Sequence, residues 1–298
     1  MGAAVMTAAV RRFSLTLPHG ITLACRGAGA GRARVLLLHG FPEAAFVWDE
    51  VMQRLATQAA CVAPNLRGYP GSSAPADVEA YRSRHLVADI AATIEALGAP
   101  LDLLVAHDWG GALAWALAAQ RPELMRRLLI VNAPHPAAFL RELRDNPAQR
   151  SASGYMNFLC RPDAETLLAQ GGYARLWPFF GAAPAWLTPQ LREQYLASWA
   201  SGLTGPLNYY RASPLRPATG PDDVLHTLAW PDAAVTVRVP TTVLWGERDH
   251  ALLPALLHGL ERWVPELQVR RVPEASHWIV HEQPALVADH ILRLLPAG

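Results

Sequence analysis

Short apolar runs alternate with helical segments along this chain, and this alternation narrows its possible folds more than any other property. Residues 35–38 read VLLL, and the runs LDLLVA at 101–106 and RLLIVNA at 127–133 are built in a similar way. A strand without regular polar alternation is one that is covered on both faces, as in a parallel sheet. Residues 81–97 have the spacing of an amphipathic helix. The alternation therefore predicts an α/β fold with a mostly parallel, doubly wound sheet.

Other segments extend this pattern towards both ends of the chain. Residues 13–25 alternate around a Pro-His-Gly centre, which is typical of an opening β-hairpin. Catalytic loops of a doubly wound sheet lie at the carboxyl ends of its strands, where His39, Asp108 and Asn132 are found. Further strands are predicted at 61–64, 241–246 and 267–273, and further helices at 46–58, after Asp108 through Gln120, and at 284–295.

Residues 137 to about 230 interrupt this alternation. They carry aromatic residues, prolines and helix-like segments, but no clear apolar strand. We therefore expect a helical insertion after the strand that ends near residue 132. This expectation divides the chain into a first core part at 1–136, an insertion at 137–230 and a second core part at 231–298.

The composition limits the class of protein. Of 298 residues, 51% are hydrophobic and 17% are charged, which suits one large domain, or a domain with an insertion, and argues against disorder. All 26 basic residues are arginines, which excludes Schiff-base chemistry on a lysine and a P-loop lysine. The net charge of +1, without blocks of like charge, predicts no nucleic-acid partner and no membrane surface as partner.

The cysteines and the start of the sequence favour a cytoplasmic protein. Cys25, Cys61 and Cys160 are odd in number and widely spaced, which fits reduced thiols and matches no metal pattern. No apolar run approaches the ~18 residues that span a bilayer. The first residues, MGAAVMTAAVRRF, lack the charged region and the long apolar core of a signal peptide.

Two carboxylates and a histidine each come directly after a predicted strand. They are Asp108, Asp249 and His277, in that order. A nucleophile needs a base within reach, and the base needs a buried carboxylate to hold it. On its own, Asp108 could equally be the N-cap of the helix that follows it. Competing residues are Glu247 for the acid, and His250 and His281 for the histidine.

Seven short motifs carry a resemblance to a known family. Together they resemble the α/β-hydrolase fold, in the branch that holds epoxide hydrolases and haloalkane or haloacid dehalogenases, from about residue 13 to residue 295. Small departures are Ser276 before the histidine and Ala106 before the HDWGG motif, where glycine is frequent in the family. The motifs are HGFPE (39–43), LRGY (66–69), HDWGG (107–111), HP (135–136), GPLNYYR (205–211), WGERD (245–249) and SHW (276–278).

The resemblance implies a two-step reaction. Asp108 attacks an electrophilic carbon and forms an alkyl-enzyme ester, which needs no base because aspartate, with a reference pKa of about 4, is already ionised at neutral pH. His277 then activates the water that hydrolyses the ester, and Asp249 orients the imidazole. The backbone N–H groups of Phe41 and Trp109 would form the oxyanion hole. The helical insertion would be a cap over this site.

The leaving group distinguishes the two activities of this branch. Opening an epoxide creates an alkoxide, and a phenol with a pKa near 10 is a suitable proton donor. Epoxide hydrolases use two cap tyrosines, which the motif matches assign to Tyr210 and, over a shorter stretch, to Tyr155. Tyr209 and Tyr173 are the alternatives, and a cap tyrosine could also be a simple packing residue.

The dehalogenases of this branch use groups that the chain lacks. Haloalkane dehalogenases often have Asn at the position of Phe41, although their Trp after the nucleophile is present as Trp109. Fluoroacetate dehalogenases have arginines at the positions of Trp109 and Ala112, and a His-Trp pair that matches Tyr155 and Met156. The resemblance thus favours an epoxide hydrolase.

The sequence therefore predicts hydrolysis of an epoxide to a vicinal diol, without cofactor or metal. The expected partners are water and a small, hydrophobic epoxide, while the sequence leaves a homo-oligomer open. A haloalkane or haloacid dehalogenase with the same triad is the first alternative. The second is a non-catalytic binding protein, which would be expected to have lost one of Asp108, Asp249 and His277.

Overall fold

The computed structural model describes residues 9–182 and 184–296 and contains an eight-stranded sheet. The order of the strands across the sheet is β1-β2-β4-β3-β5-β6-β7-β8. The hairpin β1–β2 and the pair β2–β4 are antiparallel, and all other pairs are parallel. The strands are β1 Arg11–Thr16, β2 Thr22–Ala28, β3 Ala33–Leu38, β4 Ala59–Pro64, β5 Leu103–His107, β6 Leu128–Val131, β7 Thr241–Gly246 and β8 Leu267–Val272.

Helices cover both faces of this sheet, so the predicted α/β fold with a mostly parallel, doubly wound sheet is confirmed. In β3, Leu36 and Leu38 pack into one apolar cluster, while Val35 and Leu37 pack into a second cluster. Successive side chains of a strand point to opposite faces, so the two clusters lie on opposite sides of the sheet. The helices are α1 Asp49–Leu55, α2 Ser83–Leu97, α3 Asp108–Gln120, α4 Pro136–Asp145, α5 Pro147–Ala152, α6 Tyr155–Leu159, α7 Ala164–Tyr173, α8 Pro189–Ala200, α9 Thr204–Ala212, α10 Asp232–Val235, α11 Ile279–Glu282 and α12 Pro284–Leu294.

The bounds of some elements differ from those predicted. The helix predicted at 46–58 is a short 3₁₀ turn followed by α1, which ends at Leu55. The strand predicted at 101–106 begins at Leu103, because Leu101 makes only an isolated bridge to Met125. Periodicity indicates that an element exists, but its ends depend on backbone hydrogen bonds that the sequence does not display.

Between β6 and β7 the chain forms the helices α4 to α10, and the described residues of this stretch contain no strand. This agrees with the helical texture that the sequence indicates. The division into core and cap at residues 136/137 and 230/231 stays a prediction. In the part of the chain that the structure describes, no helix is long and apolar enough to cross a membrane.

Candidate active site

The turn from β5 into α3 presents Asp108 in an unusual backbone conformation. β5 ends at His107, and Asp108 has a φ of 48°, which is in the left-handed region that side chains other than glycine rarely adopt. The turn is also crowded. A Cβ atom on Gly40 would lie 2.1 Å from Oδ1 of Asp108, and one on Gly110 would lie 2.6 Å from the His39 carbonyl oxygen. Small residues beside Asp108 therefore allow the backbone to approach this closely.

Asp108, Asp249 and His277 come together at the carboxyl ends of their strands. His277 Nδ1 lies 2.7 Å from Oδ2 of Asp249, and its Nε2 lies 3.7 Å from Oδ2 of Asp108. The second oxygen of Asp249 accepts hydrogen bonds from the backbone N–H groups of Ala251 and Leu252, both at 2.9 Å. The buried acid is thus fully hydrogen-bonded and orients the imidazole.

The competing residues lie elsewhere. Glu247 forms an ion pair with Arg271 at 2.9 Å, and His250 is exposed. His281 contacts Glu43 rather than Asp108. None of these three side chains has the contacts of Asp249 or His277.

The charges around His277 favour its protonated form. Burial alone would lower its pKa, but the charge and hydrogen bond of Asp249, together with the charge of Asp108, raise the pKa of His277 to about 9. Burial alone would raise the pKa of Asp249, but the charge and the hydrogen bond of His277 hold the pKa of this carboxyl below its usual value. The pair is therefore an imidazolium and a carboxylate at neutral pH.

Asn132 is a part of the site to which sequence reasoning gave no role beyond its place at a strand end. Its Nδ2 donates to Oδ2 of Asp249 at 2.9 Å and to the Gly246 carbonyl at 3.2 Å, and its Oδ1 accepts the Gly246 N–H at 2.8 Å. Its φ is 38°, a conformation that asparagine tolerates better than most residues. The sequence signal that could have identified Asn132 is its position at the end of a buried strand.

A buried cluster behind His277 was also missed. Oε2 of Glu43 lies 3.0 Å from Nδ1 of His107, and Oε1 contacts the Tyr195 hydroxyl at 3.0 Å and Nε2 of His281 at 2.9 Å. Burial would raise the pKa of Glu43, but its hydrogen bonds with His107 and His281 hold this pKa well below the usual range. Nε2 of His107 lies 2.9 Å from the His277 carbonyl oxygen. Both ring nitrogens of His107 thus lie within hydrogen-bond distance of an oxygen atom.

The predicted oxyanion-hole residues flank the carboxylate. The backbone N–H of Phe41 donates to Oδ1 of Asp108 at 2.7 Å. Trp109 follows Asp108 in the first turn of α3, and its ring contacts Tyr210 edge-on with centroids 5.0 Å apart. Oδ1 of Asp108 is therefore bonded to a backbone donor, whereas Oδ2 faces His277.

Tyr155 and Tyr210 line the same cavity as Asp108, with their ring centroids 6.2 Å apart. Burial raises the pKa of both phenols, and the negative charge of Asp108 raises it further. Both hydroxyls therefore stay protonated at neutral pH. The alternatives are engaged differently: the Tyr209 hydroxyl donates to the Arg67 carbonyl at 2.9 Å, and Tyr173 packs against Trp199.

The cavity itself has a volume of about 710 Å³. Cavities of roughly 300–1,000 Å³ bury small organic ligands. Its walls are mostly apolar and aromatic, and Asp108 is the single acidic side chain among the residues that line it. Within the described residues, no group of three or more His, Cys, Asp or Glu side chains is placed to hold a metal ion.

Known proteins are similar to this chain in sequence and in fold. The family model described as the alpha/beta hydrolase fold matches residues 33–284. The AB hydrolase superfamily protein YfhM of Bacillus subtilis is 35% identical over 284 residues, which is 93% of this chain and 95% of that protein. Epoxide hydrolase 4 of Mus musculus is 31% identical over 268 residues, covering 86% of this chain and 71% of the relative.

Solved structures of epoxide hydrolases superpose on most of this chain. An epoxide hydrolase of Bacillus megaterium in complex with an inhibitor superposes with a TM-score of 0.86 at 31% identity, covering 95% of this chain and 99% of that one. An epoxide hydrolase from metagenomes of hot environments gives a TM-score of 0.86 at 34% identity, over 98% and 100% of the two chains. The chain therefore belongs to the α/β-hydrolase fold family, in the branch that contains the epoxide hydrolases.

Proposed function

We propose that this protein hydrolyses an epoxide to a vicinal diol through an alkyl-enzyme ester on Asp108. One observation carries this proposal: two protonated phenols, those of the half-buried Tyr155 and the buried Tyr210, line the cavity together with a carboxylate. A carboxylate supplies a nucleophile for carbon, and a phenol supplies the proton that an opening epoxide ring requires. The names of the relatives and of the superposed structures support the same activity.

In the first step, Oδ2 of Asp108 attacks one carbon of the epoxide. A C–O ester bond forms, the C–O bond of the ring breaks, and its electron pair stays on the ring oxygen. Tyr155 and Tyr210 hydrogen-bond this oxygen, and one of them transfers its proton to it. The product is a hydroxyalkyl ester of Asp108.

After ring opening, the proton of the His277 imidazolium passes to the tyrosinate, which restores the phenol and leaves a neutral imidazole. In the second step, His277 acts as the general base. Its Nε2 removes a proton from a water molecule, whose oxygen attacks Cγ of Asp108. The negative charge that develops on Oδ1 is stabilised by the N–H of Phe41, which already lies 2.7 Å from this atom, and by the N–H of Trp109. The ester C–O bond then breaks, the departing diol oxygen takes the proton of the new Asp108 carboxyl group, and the diol leaves. His277 keeps the proton it took from water, so the carboxylate, the imidazolium and the neutral phenols of the resting site are restored.

Trapping the ester tests this proposal. The variant His277→Gln should complete the first step and stall, because no base remains for the second. Incubation with an epoxide substrate should add the mass of that epoxide to the peptide that contains Asp108, as read by mass spectrometry. The variant Asp108→Asn is the matched control and should gain no mass. The proposal is wrong if the wild-type protein forms diols while His277→Gln accumulates no adduct with the same epoxide.

The dehalogenase hypothesis is tested by measuring the products that the wild-type protein forms from different substrates. We expect diol formation from epoxides and no comparable halide release from haloalkanes or haloacids. We further expect the double variant Tyr155→Phe/Tyr210→Phe to lose at least about 10²-fold in epoxide opening, the lower end of the range for general acid catalysis. Ring opening at the wild-type rate by this variant would contradict the role of the two tyrosines.

A further inference from the structure

The cavity extends from Asp108 along one face of α3 for the whole length of this helix. Its lining includes Asp108 at the first residue of α3, Ala112 and Ala116 in the middle, and Ala119 and Gln120 at the end. At 1.5 Å per residue, the 13 residues of α3 span about 18 Å. The cavity is therefore an elongated channel with the carboxylate near one end.

The two faces of α3 have different neighbours. At about 100° per residue, the lining residues fall within an arc of about 160°. The residues of the other face, such as Ala114, Leu117 and Ala118, are completely buried, and α3 packs against β5 and β6. After Asp108, α3 contains no charged residue. A helix that is apolar on all sides normally has no face towards solvent. In α3, the face that does not pack on the sheet lines the cavity.

The end of the channel opposite Asp108 is polar and open. Ala112, Ala116 and Ala119 are half-buried, and Gln120 is exposed. This open end, beside Gln120, is the rim of the channel. The apolar surface of a ligand is removed from water inside the channel but not beyond the rim.

We infer, on the basis of the proposed function, that the enzyme selects epoxides that carry one extended apolar arm, and that three alanines of α3 set its length. The epoxide would lie between Asp108 and the cap tyrosines, with the arm along Ala112, Ala116 and Ala119. A channel of this length holds an extended arm of roughly fourteen carbon atoms, given C–C bonds of about 1.5 Å. The three methyl groups leave this space free, and larger side chains would close it at defined distances from Asp108.

A chain-length series tests this inference. Straight-chain 1,2-epoxyalkanes whose arms have about 2 to 18 carbons are assayed for diol formation below their solubility limits. The value of kcat/KM should rise by up to about fourfold for each added methylene group, since each buries more apolar surface. It should level off when the arm reaches the rim, near fourteen carbons in the arm.

Two variants should shift this plateau by different amounts. Ala119 lies about 16 Å along the helix from Asp108, and Ala116 about 12 Å. Ala119→Phe should therefore end the rise a few carbons earlier than the wild type, and Ala116→Phe earlier still. The ratio of kcat/KM between the longest and the shortest epoxide should fall at least tenfold in Ala116→Phe. Ala116→Leu gives a smaller block if the phenylalanine variant does not fold.

The control variant is Ala88→Phe, which changes an exposed alanine of α2 outside the cavity and should leave the whole series unchanged. A wild-type series without length dependence, or a plateau that Ala116→Phe and Ala119→Phe do not move, would overturn the inference while the proposed function stands. If no member of the series yields a diol but other epoxides do, the inference alone is likewise wrong. If no epoxide of any kind yields a diol, the proposed function fails as well.

Discussion

His277 lies between two carboxylates, with Asp249 2.7 Å from Nδ1 and Asp108 3.7 Å from Nε2. Their charges raise its pKa to about 9 against the effect of burial, so the resting imidazole is protonated at neutral pH and cannot accept a proton. Two unit charges about 4 Å apart interact by about 4 kcal/mol at an effective dielectric constant of 20. An ester on Asp108 would remove one of these charges. The base of the second step would therefore form only after the first step is complete.

This argument predicts the effect of Asp108→Asn on the titration of His277. The neutral amide no longer stabilises the imidazolium, so the pKa of His277 should fall from about 9 by at least about one unit. NMR titration of its Hε1 resonance measures the shift. Asp145→Asn, which removes an exposed and distant carboxylate, should leave the pKa unchanged. A His277 pKa that stays near 9 in Asp108→Asn would contradict the coupling.

At the scale of secondary-structure elements, Asn132 joins the carboxyl ends of β6 and β7. We predict that Asn132→Gly, which keeps the positive φ accessible, destabilises the protein by about 1–3 kcal/mol, because the buried Gly246 N–H loses its acceptor. The same change removes a donor from Asp249 and should lower kcat. Urea unfolding measures the first effect. An Asn132→Gly variant as stable as the wild type would show that the link between the strands contributes little.

The close contact of α3 with the end of β6 requires a glycine at position 111, because a glycine has no Cβ atom. A Cβ atom on Gly111 would lie 2.2 Å from the Cβ of Ala133, closer than any real contact. Gly111→Ala should therefore destabilise the fold by about 1–3 kcal/mol through overpacking. The double variant Gly111→Ala/Ala133→Gly removes the clash and should recover a large part of this loss. A double variant as unstable as Gly111→Ala alone would show that the cost does not arise from this contact.

The sequence predicts the sheet better than the insertion, and the reason is physical. The strands predicted from local apolar runs are all present, because burial on both faces leaves a signal in each run itself. The helices between β6 and β7 pack through aromatic side chains such as Trp177, Trp199 and Phe180, which gives no clear period. The contact of Glu43 with His281 joins residues 238 positions apart, so no local pattern could have predicted it.

At the scale of the whole molecule, α8 is attached to the sheet by buried polar contacts. The Tyr195 hydroxyl reaches Glu43, and the Trp199 indole N–H donates to the Pro42 carbonyl at 2.8 Å. Trp186 stacks on His281 with centroids 4.4 Å apart. The motif that carries Phe41 thus also holds α8, so the position of the insertion and the geometry around Asp108 depend on the same few residues.

Tyr195→Phe tests this dependence, because it removes one hydroxyl and keeps the ring. Glu43 would keep its contacts with His107 and His281 but lose one buried donor, which should cost about 1–2 kcal/mol. We expect a lower Tm, faster amide hydrogen exchange in α8, and a lower kcat for epoxide opening, since the insertion also carries Tyr155 and Tyr210. Tyr173→Phe is the matched control, since its hydroxyl makes no hydrogen bond within the described residues. Equal hydrogen exchange in α8 for Tyr195→Phe and Tyr173→Phe would mean that apolar packing alone holds this helix on the sheet.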